Sequence, residues 1–148
     1  MKKYDISKDF GLFAHFSPPF NKLIFPMSSL ILGITPKLLK SSGDVKIIRK
    51  KMKTDDKKNI DLYIFNPINI KTDKVILYIH GGGFVFKGYS SHYHLCSIFA
   101  DKCHCKVIYV DYRLAPKYKY PIPLNDCFSA YKWIIENADY LKIDINKI

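Results

Sequence analysis

His80, Gly81, Gly82 and Gly83 follow directly on five apolar residues, Val75-Ile76-Leu77-Tyr78-Ile79. Three consecutive residues without a Cβ let a backbone turn sharply and approach a ligand closely, with N–H groups free to aim at it. The carboxyl end of a buried strand is also where open α/β sheets hold their ligands. The chemistry such a loop offers is stabilisation of negative charge developing on a carbonyl oxygen, an oxyanion hole. A glycine-rich loop has two other readings, a tight turn with no chemistry and a phosphate cradle at a helix start. The phosphate reading lacks its patterns, since there is no GxGxxG and no GxxxxGK followed by Ser or Thr.

A second group, Asp111, Tyr112 and Arg113, ends the next apolar run, Val107-Ile108-Tyr109-Val110. Read from residue types alone, the Asp and the Arg could be a catalytic pair. His92 and His94 stand near the start of the intervening helical stretch, where a general base would be sought. The Cys103-His104-Cys105 triplet could hold a metal, but the second pair of ligands at zinc spacing is missing. No metal and no cofactor are expected.

The elements that must position these residues follow from the hydrophobic pattern. Val45 to Met52 and Ile60 to Phe65 alternate, with the polar stretch Thr54 to Asn59 between them, which predicts an antiparallel hairpin. The Val75 and Val107 runs are apolar on both faces, as strands are when helices cover both sides of a sheet. Between them a helix opens near Ser91, with Leu95, Cys96, Phe99 and Cys103 expected on its packed face. Strand, helix and strand form a right-handed crossover unit. A further helix is predicted from Pro123, with Leu124, Cys127, Phe128, Tyr131, Ile134 and Ile135 recurring at three- and four-residue steps. Ile143 to Ile148 reads as the approach to another strand.

Composition bounds the function. At 148 residues, with 48% hydrophobic and 25% charged residues, the chain has the make-up of one ordinary globular unit. Its net charge of +11 comes from 24 basic residues of which only Arg49 and Arg113 are arginine, and the lysines are scattered along the whole chain. Nucleic-acid recognition favours clustered arginine, so no nucleic-acid partner is expected. The apolar stretch Leu23 to Ile34 is broken by Pro26 and Ser28-Ser29 and falls short of the roughly 20 residues a membrane span needs. Four cysteines and no evident secretory leader lead us to expect a reduced, cytoplasmic setting.

Taken together, His80-Gly81-Gly82-Gly83-Phe84, then Asp111-Tyr112-Arg113-Leu114-Ala115-Pro116 about thirty residues on, then a Pro-bounded helix with Trp133 near its end, resemble the hormone-sensitive-lipase type of α/β-hydrolase, a group of serine carboxylesterases and lipases. The likeness spans roughly Val75 to Ile135. It implies the N-terminal part of an α/β-hydrolase fold: a mixed, mostly parallel sheet flanked by helices, incomplete over residues 45–148. Residues 1–44 would be a helical lead-in contributing to a cap over the site. By the same resemblance Gly82 and Gly83 supply two oxyanion-hole N–H donors. His80 and Gly81 shape that loop, while Asp111, Tyr112 and Arg113 brace it and Asp126 is structural.

Two departures from the family pattern stand out. Lys87 occupies a place usually held by glycine, with Gly88 one position later, and Lys117 follows DYRLAP where glutamate is usual. More consequential, none of the ten serines lies in a GxSxG setting. The expectation is a carboxylic ester hydrolase part that carries the oxyanion loop but lacks the nucleophile Ser, the acid and the His, and so is inactive alone. A complementing hydrolase chain would be its partner and a small-molecule ester its substrate. The alternative is a non-catalytic remnant or protein-interaction module that uses an open sheet edge.

Overall fold

The computed structural model describes residues 44–148. The expected helical lead-in therefore lies, but for its last residue, outside the described residues. From Asp44 onward the chain builds one mixed sheet with a helix on each face.

The predicted hairpin is present as β1 (Val45–Lys53) and β2 (Asn59–Pro67), antiparallel from Val45 opposite Pro67 to Lys53 opposite Asn59. Its turn closes around Thr54, whose amide donates to the Lys58 carbonyl and whose carbonyl accepts from the Lys57 amide, each at 2.8 Å. The Thr54 hydroxyl also reaches the Asp56 carboxylate. After the hairpin come β3 (Val75–Ile79), α1 (Ser90–Cys103) and β4 (Lys106–Asp111), then α2 (Ile122–Glu136) and the short α3 (Ala138–Leu141).

The strands lie in the order β1-β2-β4-β3, with β4 antiparallel to β2 and parallel to β3. Sequence order is thus broken once, between β2 and β4: the chain passes from β2 to the outer β3, and α1 returns it to β4 in the place between them. Alternation along β2 and β4 divides the core in two. Ile60, Leu62, Ile64, Ile108 and Val110 face α2 through Cys127, Ala130 and Ile134. Phe65, Val107 and Tyr109 face α1 through Tyr93, Cys96 and Ala100. That double coverage is why the Val107 run is apolar at every position. β3 has a neighbour on one side only among the described residues, and its last residue, Ile79, is about half exposed (49%).

Both helices are rotated relative to their expected faces. In α1 the buried residues are Tyr93, Cys96, Ser97 and Ala100, whereas Leu95 and Cys103 are exposed. Tyr93 wins the inner face because its ring lies 4.5 Å from that of Tyr109 and meets Tyr63 edge-on at 5.2 Å. Small Ser97 and Ala100 then let the helix sit close to the sheet. In α2, Pro123, Asp126, Cys127, Ser129, Ala130 and Ile134 are buried, while Leu124, Phe128 and Tyr131 face outward. There a buried ion pair, described below, fixes which side points in.

Ile143 to Ile148 is not itself a strand. The Asp144 carboxylate accepts the Asn146 amide at 2.9 Å, a local bond that competes with extended backbone, and Ile145–Lys147 forms a 3-10 turn. Lys147 then anchors the turn to Asp73 at 2.9 Å.

Candidate active site

The register decides which residues share one end of the sheet. Ile79 lies beside Val110, Asp61 opposite Asp111, and Lys51 opposite Asp61. The glycine loop, the Asp111-Tyr112-Arg113 segment and the β1–β2 turn therefore gather at the carboxyl ends of β3 and β4.

The loop itself is shaped by left-handed backbone. Gly82 has φ +125° and Gly83 +59°, and Phe84 follows at +61°. A Cβ on Gly82 would stand 2.7 Å from the Phe86 carbonyl oxygen, whereas one on Gly83 would meet nothing. The Gly82 carbonyl accepts from the amides of Val85 (3.1 Å) and Phe86 (3.0 Å), which folds the chain back on itself. Among the described residues the amides of Gly82 and Gly83 donate to no acceptor.

Both ends of the loop are tied to the segment after β4. At its start the Tyr112 hydroxyl donates to the His80 carbonyl at 2.7 Å, and the Tyr112 and His80 rings stack 4.2 Å apart. At its far end the Ala115 amide donates to the Phe84 carbonyl at 2.8 Å. Tyr112 thus bonds the start of the loop, and a backbone contact from Ala115, which side-chain reading does not anticipate, bonds its far end. Arg113 and Asp111 do not touch the loop.

Arg113 instead binds the buried Asp126 with its Nε (2.9 Å) and Nη2 (2.5 Å), and its backbone amide adds a bond at 2.9 Å. Its outer edge grips Asp56 in the hairpin turn at 2.8 and 2.9 Å. The guanidinium is accordingly held above its ordinary range, and the Asp56 carboxyl is pulled down to about 2 by Arg113 first and the Thr54 hydroxyl second. Asp111 makes neither contact. Burial raises its carboxyl above the ordinary value, opposed by Lys87 and reinforced by Asp61 across the strand.

His80 is almost wholly buried (2% exposed). Its Nδ1 lies 2.8 Å from the Gly81 carbonyl oxygen, which can only accept, so Nδ1 carries the proton. Nε2 is then a bare acceptor with no partner among the described residues. Burial lowers its pKa, which keeps the ring neutral and the loop free of an added charge. The ring also stacks on Tyr109 at 5.4 Å. A Cβ on Gly88 would collide with the Tyr109 hydroxyl, so this position has no room for a larger residue beside that ring.

Of the other described histidines, His92 and His94 make no hydrogen bond to the glycine loop. His92 accepts the Tyr89 amide on Nδ1 at 3.1 Å and so closes the first turn of α1, with its pKa lowered by burial. His94 is exposed. All four cysteines are free, and no group of three or more metal-binding side chains occurs among the described residues. No helix among them is long and apolar enough to cross a membrane.

The part of the chain that carries this loop is similar to known proteins. The family model described as the α/β hydrolase fold matches residues 76–148. An arylesterase of Saccharolobus solfataricus is 37% identical over 98 residues, covering 66% of this chain and 32% of its own length. An ethyl acetate hydrolase of Pseudomonas putida is 40% identical over 73 residues, 49% of this chain and 23% of its own. Among solved structures, an arylesterase superposes with a TM-score of 0.72 at 30% identity, covering 82% of this chain and 40% of that one. A thermostable carboxylesterase from a metagenomic library gives 0.71 at 27% identity, covering 86% and 42%. The chain thus spans about a third or less of the length of these curated relatives.

Proposed function

We propose, given that residues 76–148 of this chain belong to the α/β-hydrolase fold family, that it supplies the oxyanion-stabilising part of a carboxylic ester hydrolase of the hormone-sensitive-lipase type. The observation that carries this reading is the pair of undonated amides at Gly82 and Gly83, positioned past β3 by a loop fastened at His80 and Phe84. As a nucleophile attacks an ester carbonyl, charge moves onto the carbonyl oxygen. Donors that are already aligned stabilise that oxygen without reorganising, and each typically contributes about 100- to 1000-fold in rate. Tyr112 and Ala115 serve this by fixing the loop, and His80 serves it by offering the carbonyl that Tyr112 binds.

None of the chain's own serines lies in a GxSxG elbow, so the attacking hydroxyl is to come from sequence other than these 148 residues. Without it no acyl-serine intermediate can form. The 148-residue chain alone is expected to leave 4-nitrophenyl butyrate unhydrolysed above the buffer rate. Mixed with a hydrolase segment bearing GxSxG, the acid and the histidine, it is expected to release 4-nitrophenol, and a Gly83→Val form of the chain to restore little of it. Equal restoration by both forms would defeat the reading.

A second reading rests on the free side of β3. A strand with unpaired N–H and C=O groups is a template for another chain, so the module could serve protein association without catalysis. A captured partner lacking hydrolase features, together with no activity on mixing, would favour it.

A further inference from the structure

We infer that the rim of this site selects esters bearing a negative charge, a carboxylate or phosphate on the acyl or alcohol part, over neutral esters of the same size. The inference rests on the ester-hydrolase reading and narrows its substrate class.

Six lysines gather at the carboxyl end of the sheet. Lys53, Lys57 and Lys58 come from the β1–β2 turn, Lys87 from the stretch after the glycine loop, and Lys117 and Lys119 from the stretch after Arg113. All six are exposed, and none forms an ion pair among the described residues. The acids at this end are already engaged: Asp56 and Asp126 by Arg113, Asp55 by Lys132 at 2.6 Å, and Asp61 by Arg49 at 2.5 Å. Asp111, the remaining one, is shifted toward its neutral form by burial.

The two groups of lysines are physically joined. Asp56 of the turn is held by Arg113, whose guanidinium lies 5.2 Å from the Tyr118 ring, and the Lys117 ammonium lies 5.1 Å from the same ring. The opposite end of the sheet carries lysines too, among them Lys46, Lys71, Lys74 and Lys106, but there Asp44 stands beside Ile68 and Lys147 holds Asp73 and Asp144. The end at which the amides of Gly82 and Gly83 open thus carries six lysines that form no ion pair among the described residues. Clefts lined by one sign of charge raise the local concentration of the opposite one, and the effect falls as salt screens it. Lys117 is also where the family pattern has glutamate, so the reversal adds to the field.

The test uses equilibrium binding, which needs no nucleophile. Monomethyl glutarate and dimethyl glutarate would be titrated into the 148-residue chain, following the amide signals of Gly82 and Gly83 by nuclear magnetic resonance. Expected is tighter binding of the monoanion, on the order of tenfold at about 0.01 M salt, with the advantage gone near 1 M. The combined Lys57→Gln, Lys58→Gln, Lys117→Gln form should lose the advantage, and Lys46→Gln with Lys106→Gln at the far end should keep it. Equal affinities with both signals moving, or an advantage untouched by salt or by the triple change, would overturn the inference and leave the ester reading standing. No movement of either amide with either compound would overturn both.

Discussion

At the scale of the residue, Gly82 is the position with least freedom. Its φ of +125° and the Phe86 carbonyl 2.7 Å from where a Cβ would be leave room for hydrogen only. Gly82→Ala is expected to cost about 1–3 kcal/mol of stability, read from the urea midpoint, and Gly83→Ala less, since φ +59° is strained for alanine but the space is open. Equal losses would show that crowding by Phe86 is not what holds the turn. His80 and Tyr112 were legible as neighbours of chemistry because their motifs flank two buried strands. The acceptor that Tyr112 uses, the His80 carbonyl, was not, because a backbone oxygen leaves no trace in residue type. The same holds for the Phe84 carbonyl bound by Ala115.

At the scale of elements, Arg113 organises more than its motif implies. It joins β4, α2 and the β1–β2 turn through Asp126 and Asp56, with Lys132 to Asp55 and the Asp55 amide to Ser129 (3.2 Å) reinforcing the same junction. Asp126 is fully buried, so Arg113→Met would strand a carboxylate in the interior, at a cost of about 3–5 kcal/mol. Asp56→Asn removes a partner on the solvent side and should cost much less, the order being read from thermal midpoints. The reverse order would mean that the turn, and not α2, is what Arg113 secures. This junction also explains why periodicity misplaced the α2 face. Leu124, Phe128 and Tyr131 keep helical spacing as well as the true inner residues do, and only the charge of Asp126, paired 13 residues back, selects the inward side. Strands fared better because alternation and two-sided apolarity follow from burial alone. Asp56 carried no signal, since its partner lies 57 residues away.

At the scale of the whole molecule, the described sheet presents the glycine loop on β3, whose outer side is unpaired among the described residues, together with a lysine-rich rim. The resemblance to the α/β-hydrolases was readable from the two motifs and their spacing. The gathering of six lysines was not, because residues from three separate stretches meet only once the register of β1, β2 and β4 is set. The account stands on the amides of Gly82 and Gly83 receiving negative charge from a reacting carbonyl. Its most direct test is a crystal structure of the chain joined to a nucleophile-bearing hydrolase segment and trapped with an alkylphosphonate ester. The phosphonyl oxygen is expected about 2.7–3.1 Å from both nitrogens. A phosphonyl oxygen turned away from the loop, or those two amides bonded to protein carbonyls instead, would contradict the account.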